Sequence, residues 1–268
     1  MNNNTLVENN LSKLHDALFG FLCNFKSLCE KLCIRFYLGY GTLLGAARHK
    51  GFIPWDDDID LLMTRTDYNV LVNYFKNNVD DCFYLSTLDI NDNHSLIFGK
   101  LIQKNSDQNL LKYFDEFEGL SIDIFPLDYS RSKKNISERM KILFILYLKR
   151  VYSSKSKLKR KESLIKKIGR YIFVLPFIFI KNKKLLLFID KLCKKNKCKK
   201  FYVCYGGLST RECYINSVDK WNNSTLIFND IPFNVCDDYT EMLKAIYGNN
   251  WYQLPPLKKR TQHNHENL

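Results

Sequence analysis

A chain of 268 residues with 46% hydrophobic content can bury a sizeable core, which excludes a coreless or disordered protein. Its nine cysteines, behind an opening MNNNTLVENN that has neither the basic segment nor the apolar core of an export signal, point to a reducing compartment and a cytosolic protein. The net charge of +13 is uneven: residues 131–200 hold 24 Lys and Arg against 3 acids, while the other 198 residues hold 17 against 25, so a basic device is set into an acidic remainder.

The apolar spacing predicts an amphipathic helix over 6–32, with Leu11, Leu14, Leu18, Phe21, Leu22 and Phe25 on one face. A short strand over 36–38 then runs into Gly41-Thr42 and the helical run Leu43-Leu44-Gly45-Ala46-Ala47-Arg48. A strand, a glycine turn and a helix N-terminus form an anion site, because free amides and the helix dipole point at the ligand. Arg48 can add a bidentate clamp on phosphate. His49, on the following loop, either touches substrate or is simply exposed, and Arg48 is the better candidate for the phosphate.

The next stretch, Phe52-Ile53-Pro54-Trp55 followed by Asp56-Asp57-Asp58-Ile59-Asp60, reads as a strand entered from Trp55. Alternation with a period of two puts Asp56, Asp58 and Asp60 on one face and turns Asp57 the other way. Three carboxylates on one face repel unless a cation neutralises them, and an all-oxygen set suits Mg2+ or Mn2+. The competing reading is a solvated acidic turn. The alternating Ile59 and the apolar, aromatic entry argue against it.

A helix follows over 66–75, capped by Thr64 or Thr66. Strands are predicted over 82–86, 94–103 and 120–125, giving an α/β fold (α+β mixed sheet) with helices on one side. Lys100, in the second of these strands, either reaches a phosphate or serves as a framework ion-pair lysine. Asp123 stands between Ile122 and Ile124; an acid there is costly to bury alone, so it either joins the metal of Asp58 and Asp60 or pairs with a Lys or Arg. Asp128 reads as a cap or turn residue after Pro126. The metal reading makes the whole cluster a site for metal-dependent phosphoryl transfer.

Helices dominate 136–192. The apolar runs over 142–148, 171–180 and 185–189 are too short to cross a bilayer, which needs about 20 residues. Set among lysines, they suit an interfacial segment on anionic lipid; the alternative is a helical subdomain whose apolar faces pack on the core. Nucleic acid is a poor partner, since the region lacks aromatic interleaving and any helix-turn-helix or zinc-finger pattern. Residues 225–235 predict a hairpin around Asn229-Asp230, and 237–246 a short helix. Trp251, Tyr252 and Pro255-Pro256 then form a stiff loop leading to Lys258, Lys259 and Arg260, able to fold back over a donor.

These residues closely resemble the signature of the LicD family, the phosphocholine transferases and fukutin-related relatives of the nucleotidyltransferase superfamily. The resemblance rests on the run from Gly41 to Asp60, on Ser121 to Asp128, and on Tyr247-Gly248 with Leu254-Pro255-Pro256-Leu257 and the basic residues that follow. It implies one catalytic domain over 1–268 with a nucleotidyltransferase-like core and a basic helical insertion over 131–200. The implied reaction moves an alcohol phosphate, phosphocholine or a relative, from a CDP-activated donor onto a hydroxyl of a cell-surface glycan or its lipid-linked precursor. Arg260 and His263 coincide with the closing motif and are expected at the donor phosphates. Asp58, Asp60 and Asp123 are expected to hold one or two metal ions, with Asp56 either joining them or orienting a ligand. One departure stands out: Gly39-Tyr40-Gly41 has tyrosine where many relatives have a second glycine. The expected location is the cytoplasmic face of the membrane. A nucleotidyltransferase that releases pyrophosphate, and an inactive membrane-bound scaffold, are the rival readings.

Overall fold

The computed structural model describes residues 3–104, 119–132, 134–157, 168–171, 174–196 and 198–260. Helix α1 (Asn3–Lys31) forms as the spacing requires, and Leu11, Leu14, Leu18, Phe21, Leu22 and Phe25 are all buried. A left-handed Cys33 then turns the chain into β1 (Tyr37–Leu38), α2 (Tyr40–His49), β2 (Asp60–Thr64) and α3 (Arg65–Asn77). Thr64 caps α3, its hydroxyl accepting the Asp67 amide at 3.2 Å.

The sheet continues with β3 (Phe83–Ser86), β4 (Gly99–Gln103) and β5 (Ser121–Ser130), in the order β1-β2-β5-β4-β3. Strand β2 pairs parallel with β5; the other pairings are antiparallel. The strand predicted over 94–103 therefore starts only at Gly99. His94 is buried, its Nδ1 beside Ser86 Oγ at 2.9 Å and its Nε2 beside Phe98 O at 2.8 Å, and this side-chain bonding holds 94–98 as a bend. In the other direction β5 runs past its expected end. The Asp123 amide donates to Ile59 O on the β2 side, so by alternation the nitrogen of Pro126 faces the opposite edge. There β4 has stopped at Gly99↔Ile124, and β6 (Phe201–Cys204) begins at Leu127↔Cys204. Proline is tolerated because no ladder bond is due at that point. Asp128 is accordingly a strand residue rather than a cap, held by two 2.8 Å bonds from Arg65.

Strand β7 (Ile215–Ser217) completes this sheet, and β8 (Thr225–Phe228) with β9 (Ile231–Asn234) forms the expected hairpin. Asn229 (φ 47°) and Asp230 (φ 64°) give it the doubly left-handed turn of a two-residue loop. Helices cover more than one side of the sheet, contrary to the sequence reading. On β6, Tyr202 and Cys204 enter the main core, while Val203 and Tyr205 enter a second core built with α4 (Ile136–Lys157) and α5 (Asn182–Lys194). Helix α6 (Tyr239–Tyr247) returns to the main core through Met242 and Leu243.

Candidate active site

Asp60 opens β2 directly opposite Asp123 of β5. Register partners in neighbouring strands point to the same side, so the two carboxylates share one face. Residues 56–59 are not strand. Pro54 and Trp55 turn the chain, the Asp56 amide closes the turn on Ile53 O at 2.9 Å, and the ladder starts only where Ile59 O accepts the Asp123 amide. The alternation expected from Trp55 is lost as a result. Asp57 is not turned away from its neighbours: Asp56, Asp57 and Asp58 can each place one oxygen within 4.8 Å of the others.

The start of α2 is built around Asp60. The Gly39 amide donates to Asp60 O at 3.0 Å, the Asp60 amide donates to Thr42 Oγ1 at 2.8 Å, and the Gly41 amide bonds the Asp60 carboxyl group. Of the two residues expected at a donor phosphate, Gly41 thus bonds the Asp60 carboxyl group and Thr42 its backbone amide. A Cβ on Gly41 would lie 2.8 Å from Asp56 Oδ2, so only glycine lets the helix start approach the acidic loop this closely. Tyr40 has φ 38°, in the region that favours glycine, which accounts for the expected small residue there. Its ring is buried edge-on against Phe125 at 5.1 Å and its hydroxyl donates to Glu212 O at 3.3 Å. It faces the core rather than a ligand.

Crowding shows in the acidities. Burial, then the charges of Asp58 and Asp57, pushes Asp56 up to about 8. Burial, then Asp58, Asp123 and Asp56, raises Asp60 well above the usual carboxylate range, against the pull of the Gly41 amide. Lys100 Nζ lies 3.1 Å from Asp123 Oδ1, the ion pairing that both residues allowed from sequence. Lys100 also donates to Ser121 Oγ at 3.0 Å. The contact with Asp123 lacks hydrogen-bond direction, and Asp123 Oδ1 is buried with no hydrogen-bond donor among the described residues. An all-oxygen set of crowded carboxylates fits a hard divalent cation.

Arg48 and Arg260 belong to the closing loop as it stands. Arg48 Nη1 donates to Trp251 O at 3.2 Å and Gln253 O at 3.1 Å, and its Nε donates to His49 Nε2 at 2.9 Å. Burial lowers the Arg48 pKa, while Asp56 is close enough to oppose that shift. Arg260 Nε donates to Pro255 O at 2.9 Å and its guanidinium lies 5.4 Å from the centre of the Trp55 ring. The loop therefore folds back onto the aromatic entry of the acidic loop. His263 lies outside the described residues.

Two further side chains join the site. His15 of α1 places Nε2 2.7 Å from Asp56 O and stacks on Phe52 at 4.3 Å, with burial lowering its pKa. Its one signal in the sequence is a polar residue next to the apolar stripe of Leu11, Leu14 and Leu18. Tyr247 closes α6 with 42% of its surface exposed; partial burial, then Asp60 and Asp56, pushes its phenol up, which puts it near the carboxylates. It had been legible only as part of the closing motif.

Residues 33–163, which contain all of these carboxylates, match the LicD/FKTN/FKRP nucleotidyltransferase domain family. The chain is similar to the lipopolysaccharide cholinephosphotransferase LicD of Haemophilus influenzae, 48% identical over 63 residues that make up 24% of each chain. It is also similar to uncharacterized proteins of Rickettsia prowazekii and Rickettsia typhi, 39% identical over 51 residues, 19% of this chain and 19% and 16% of theirs. The aligned stretch spans about a quarter or less of the length of these curated relatives.

Proposed function

Because residues 33–163 match the LicD-family domain, we propose that this chain is a phosphotransferase. It moves an alcohol phosphate, phosphocholine or a close relative, from a CDP-activated donor onto a hydroxyl of a cell-surface glycan or its lipid-linked precursor. The observation that carries this reading is the crowding of Asp58, Asp123 and Asp56 around Asp60 within the family-matching stretch, with Asp60 and Asp123 in register on parallel strands. The resemblance to a protein named as a lipopolysaccharide cholinephosphotransferase supports phosphocholine and a glycolipid acceptor.

Asp58, Asp60 and Asp123 would hold Mg2+ or Mn2+, with Asp56 joining them or orienting a ligand. Such an ion neutralises charge on the donor phosphates and on the departing CMP. The Gly41 amide and Thr42 fix Asp60 at the head of β2. Arg48 keeps Nη2 uncommitted among the described residues while Nε and Nη1 are bonded, and it offers that edge to donor phosphate. Arg260 is carried into the same neighbourhood by the loop, and Lys100 can exchange Asp123 for a phosphate oxygen. One aspartate accepts the proton of the attacking hydroxyl.

Peripheral attachment to the inner face of an anionic membrane belongs to this reading. No helix among the described residues is long and apolar enough to cross a membrane. Supporting attachment, α4 and the segment before α5 leave Met140, Leu143, Phe144, Leu175 and Phe179 exposed amid the basic charge of 131–200.

Purified protein with Mg2+, membrane glycolipid and a panel of CDP-choline, CDP-glycerol, CDP-ribitol and nucleoside triphosphates tests the reading. Acceptor-dependent CMP from one CDP-alcohol is expected. Pyrophosphate from a triphosphate would replace it with nucleotidyl transfer at the same carboxylates.

A further inference from the structure

Strand β5 changes its antiparallel partner in mid-course, from β4 at Gly99↔Ile124 to β6 at Leu127↔Cys204. The two partners diverge from Phe125 and Pro126, and a crevice of about 570 Å3 opens between residues 95–98, α4, α5 and residues 206–208. That volume falls in the range of small-molecule sites, about 300–1,000 Å3. Its walls are Ile97, Phe98, Leu146, Leu186 and Leu208. The Phe98 ring lies 4.2 Å from that of Phe125, which follows Asp123 by two residues and so points to the same face of β5. The crevice thus lies on the α4 and α5 side of the sheet, with the Phe98 and Phe125 rings between it and the carboxylate face.

The two cations on its lining have different tasks. Lys149 Nζ is taken by three carbonyls, Tyr205 O at 3.2 Å, Gly206 O at 2.6 Å and Gly207 O at 2.5 Å. It shapes the wall. Arg150 is exposed, has no hydrogen-bond or ionic partner among the described residues, and also lines a neighbouring cavity of about 240 Å3 with Leu143, Leu146 and Tyr147. Largely apolar walls, with the hydroxyls of Ser95, Tyr152 and Ser153 and one uncommitted guanidinium at the rim, suit a bare sugar poorly, since it needs many polar partners. They suit a hydrocarbon chain with an anionic oxygen group at its end, the guanidinium fork matching phosphate.

We propose that this crevice binds an aliphatic chain bearing a phosphate, the lipid end of an amphiphilic acceptor. The acceptor role rests on the transferase reading above; the binding itself does not.

The test uses the full chain and alkyl phosphates below their micelle concentrations, followed by calorimetry. Dodecyl phosphate is expected to bind, and affinity should rise roughly fourfold per added methylene from octyl to dodecyl. Leu208→Asp, at a wall position that is 63% exposed and so tolerates change, should weaken dodecyl phosphate at least tenfold. Arg150→Gln should weaken it while leaving neutral dodecyl maltoside unchanged, and Phe179→Ser, on apolar surface outside the crevice lining, should do nothing. Mn2+ binding should be the same in all four proteins. No binding, no dependence on chain length, binding unaffected by Leu208→Asp, or equal loss with Phe179→Ser would each overturn the crevice assignment. Alkyl phosphate binding in a protein that transfers nothing would leave the crevice standing and sink only the transferase reading. Transfer without alkyl phosphate binding would do the reverse.

Discussion

The carboxylates are arranged at a cost that has a pH signature. An acid whose folded pKa is raised takes up its proton more readily when folded than when unfolded. Its contribution therefore turns unfavourable as pH climbs from the unfolded value, about 3.9 for aspartate, through the folded one, about 8 for Asp56. The metal-free protein should lose thermal stability between pH 5 and pH 8, Asp56→Asn should flatten that loss, and Mn2+ should restore stability most at the upper end. A melting profile that is flat with pH and indifferent to Mn2+ would speak against the cluster. Arg65 and Asp128 form the contrasting case, an acid satisfied by two charge-assisted bonds in the interior. Arg65→Met strands Asp128 and should cost about 3–5 kcal/mol in urea unfolding, with much of it recovered by adding Asp128→Leu. At this scale the acidic run was legible because four aspartates around one isoleucine have few structural explanations. The partners of Asp60 were not, since an amide three residues into a predicted anion site looks the same in sequence whether it holds a phosphate or a carboxylate. His15 lies 41 positions from the Asp56 carbonyl that it meets, a contact that local pattern cannot convey.

Among the elements, those fixed by local rules match the sequence reading closely. Thr64 caps α3, the Asn229-Asp230 turn makes the hairpin, and the stripe on α1 faces the core. Those that depend on neighbours do not. Strand β5 outruns its expected length because it changes partner at Pro126, and residues 56–59 leave the strand because Pro54 and Trp55 turn the chain first. The closing loop is the element with the most direct consequence. Arg48 binds two of its carbonyls and Arg260 folds it onto Trp55, so Arg48→Ala should free it. Limited proteolysis between residues 248 and 260 should run roughly tenfold faster, on the usual worth of charge-assisted hydrogen bonds, with little change in overall stability. Unchanged cleavage would mean that the aromatic contacts alone hold the loop.

Over the whole molecule, the described residues of the basic region are mainly helical, while the acidic loop leads into the sheet. Helices α4 and α5 pack a second core against β6 and β7, as the subdomain reading of the basic region required, yet α4 is apolar on a second face as well. The packing of α4 answers to the subdomain reading, and its exposed apolar face is what the membrane proposal draws on. Flotation with anionic vesicles at low salt should recover the protein, and about 0.5 M salt should release it as surface charges are screened. Phe144→Ser with Phe179→Ser should abolish recovery; flotation unaltered by both changes would remove the membrane face. The claim on which the account turns is that carboxylates gathered from the acidic loop and β5 run the transfer through a divalent ion. The most direct measurement is CMP release from CDP-choline with glycolipid acceptor, using metal-stripped protein, the same protein with Mg2+ restored, and Asp60→Asn with Mg2+. Turnover only on restoring Mg2+, with Asp60→Asn slower by a factor on the order of 10² to 10⁴ while melting normally, is the expected result. Turnover in the stripped protein, or an Asp60→Asn variant as fast as the parent, would contradict it.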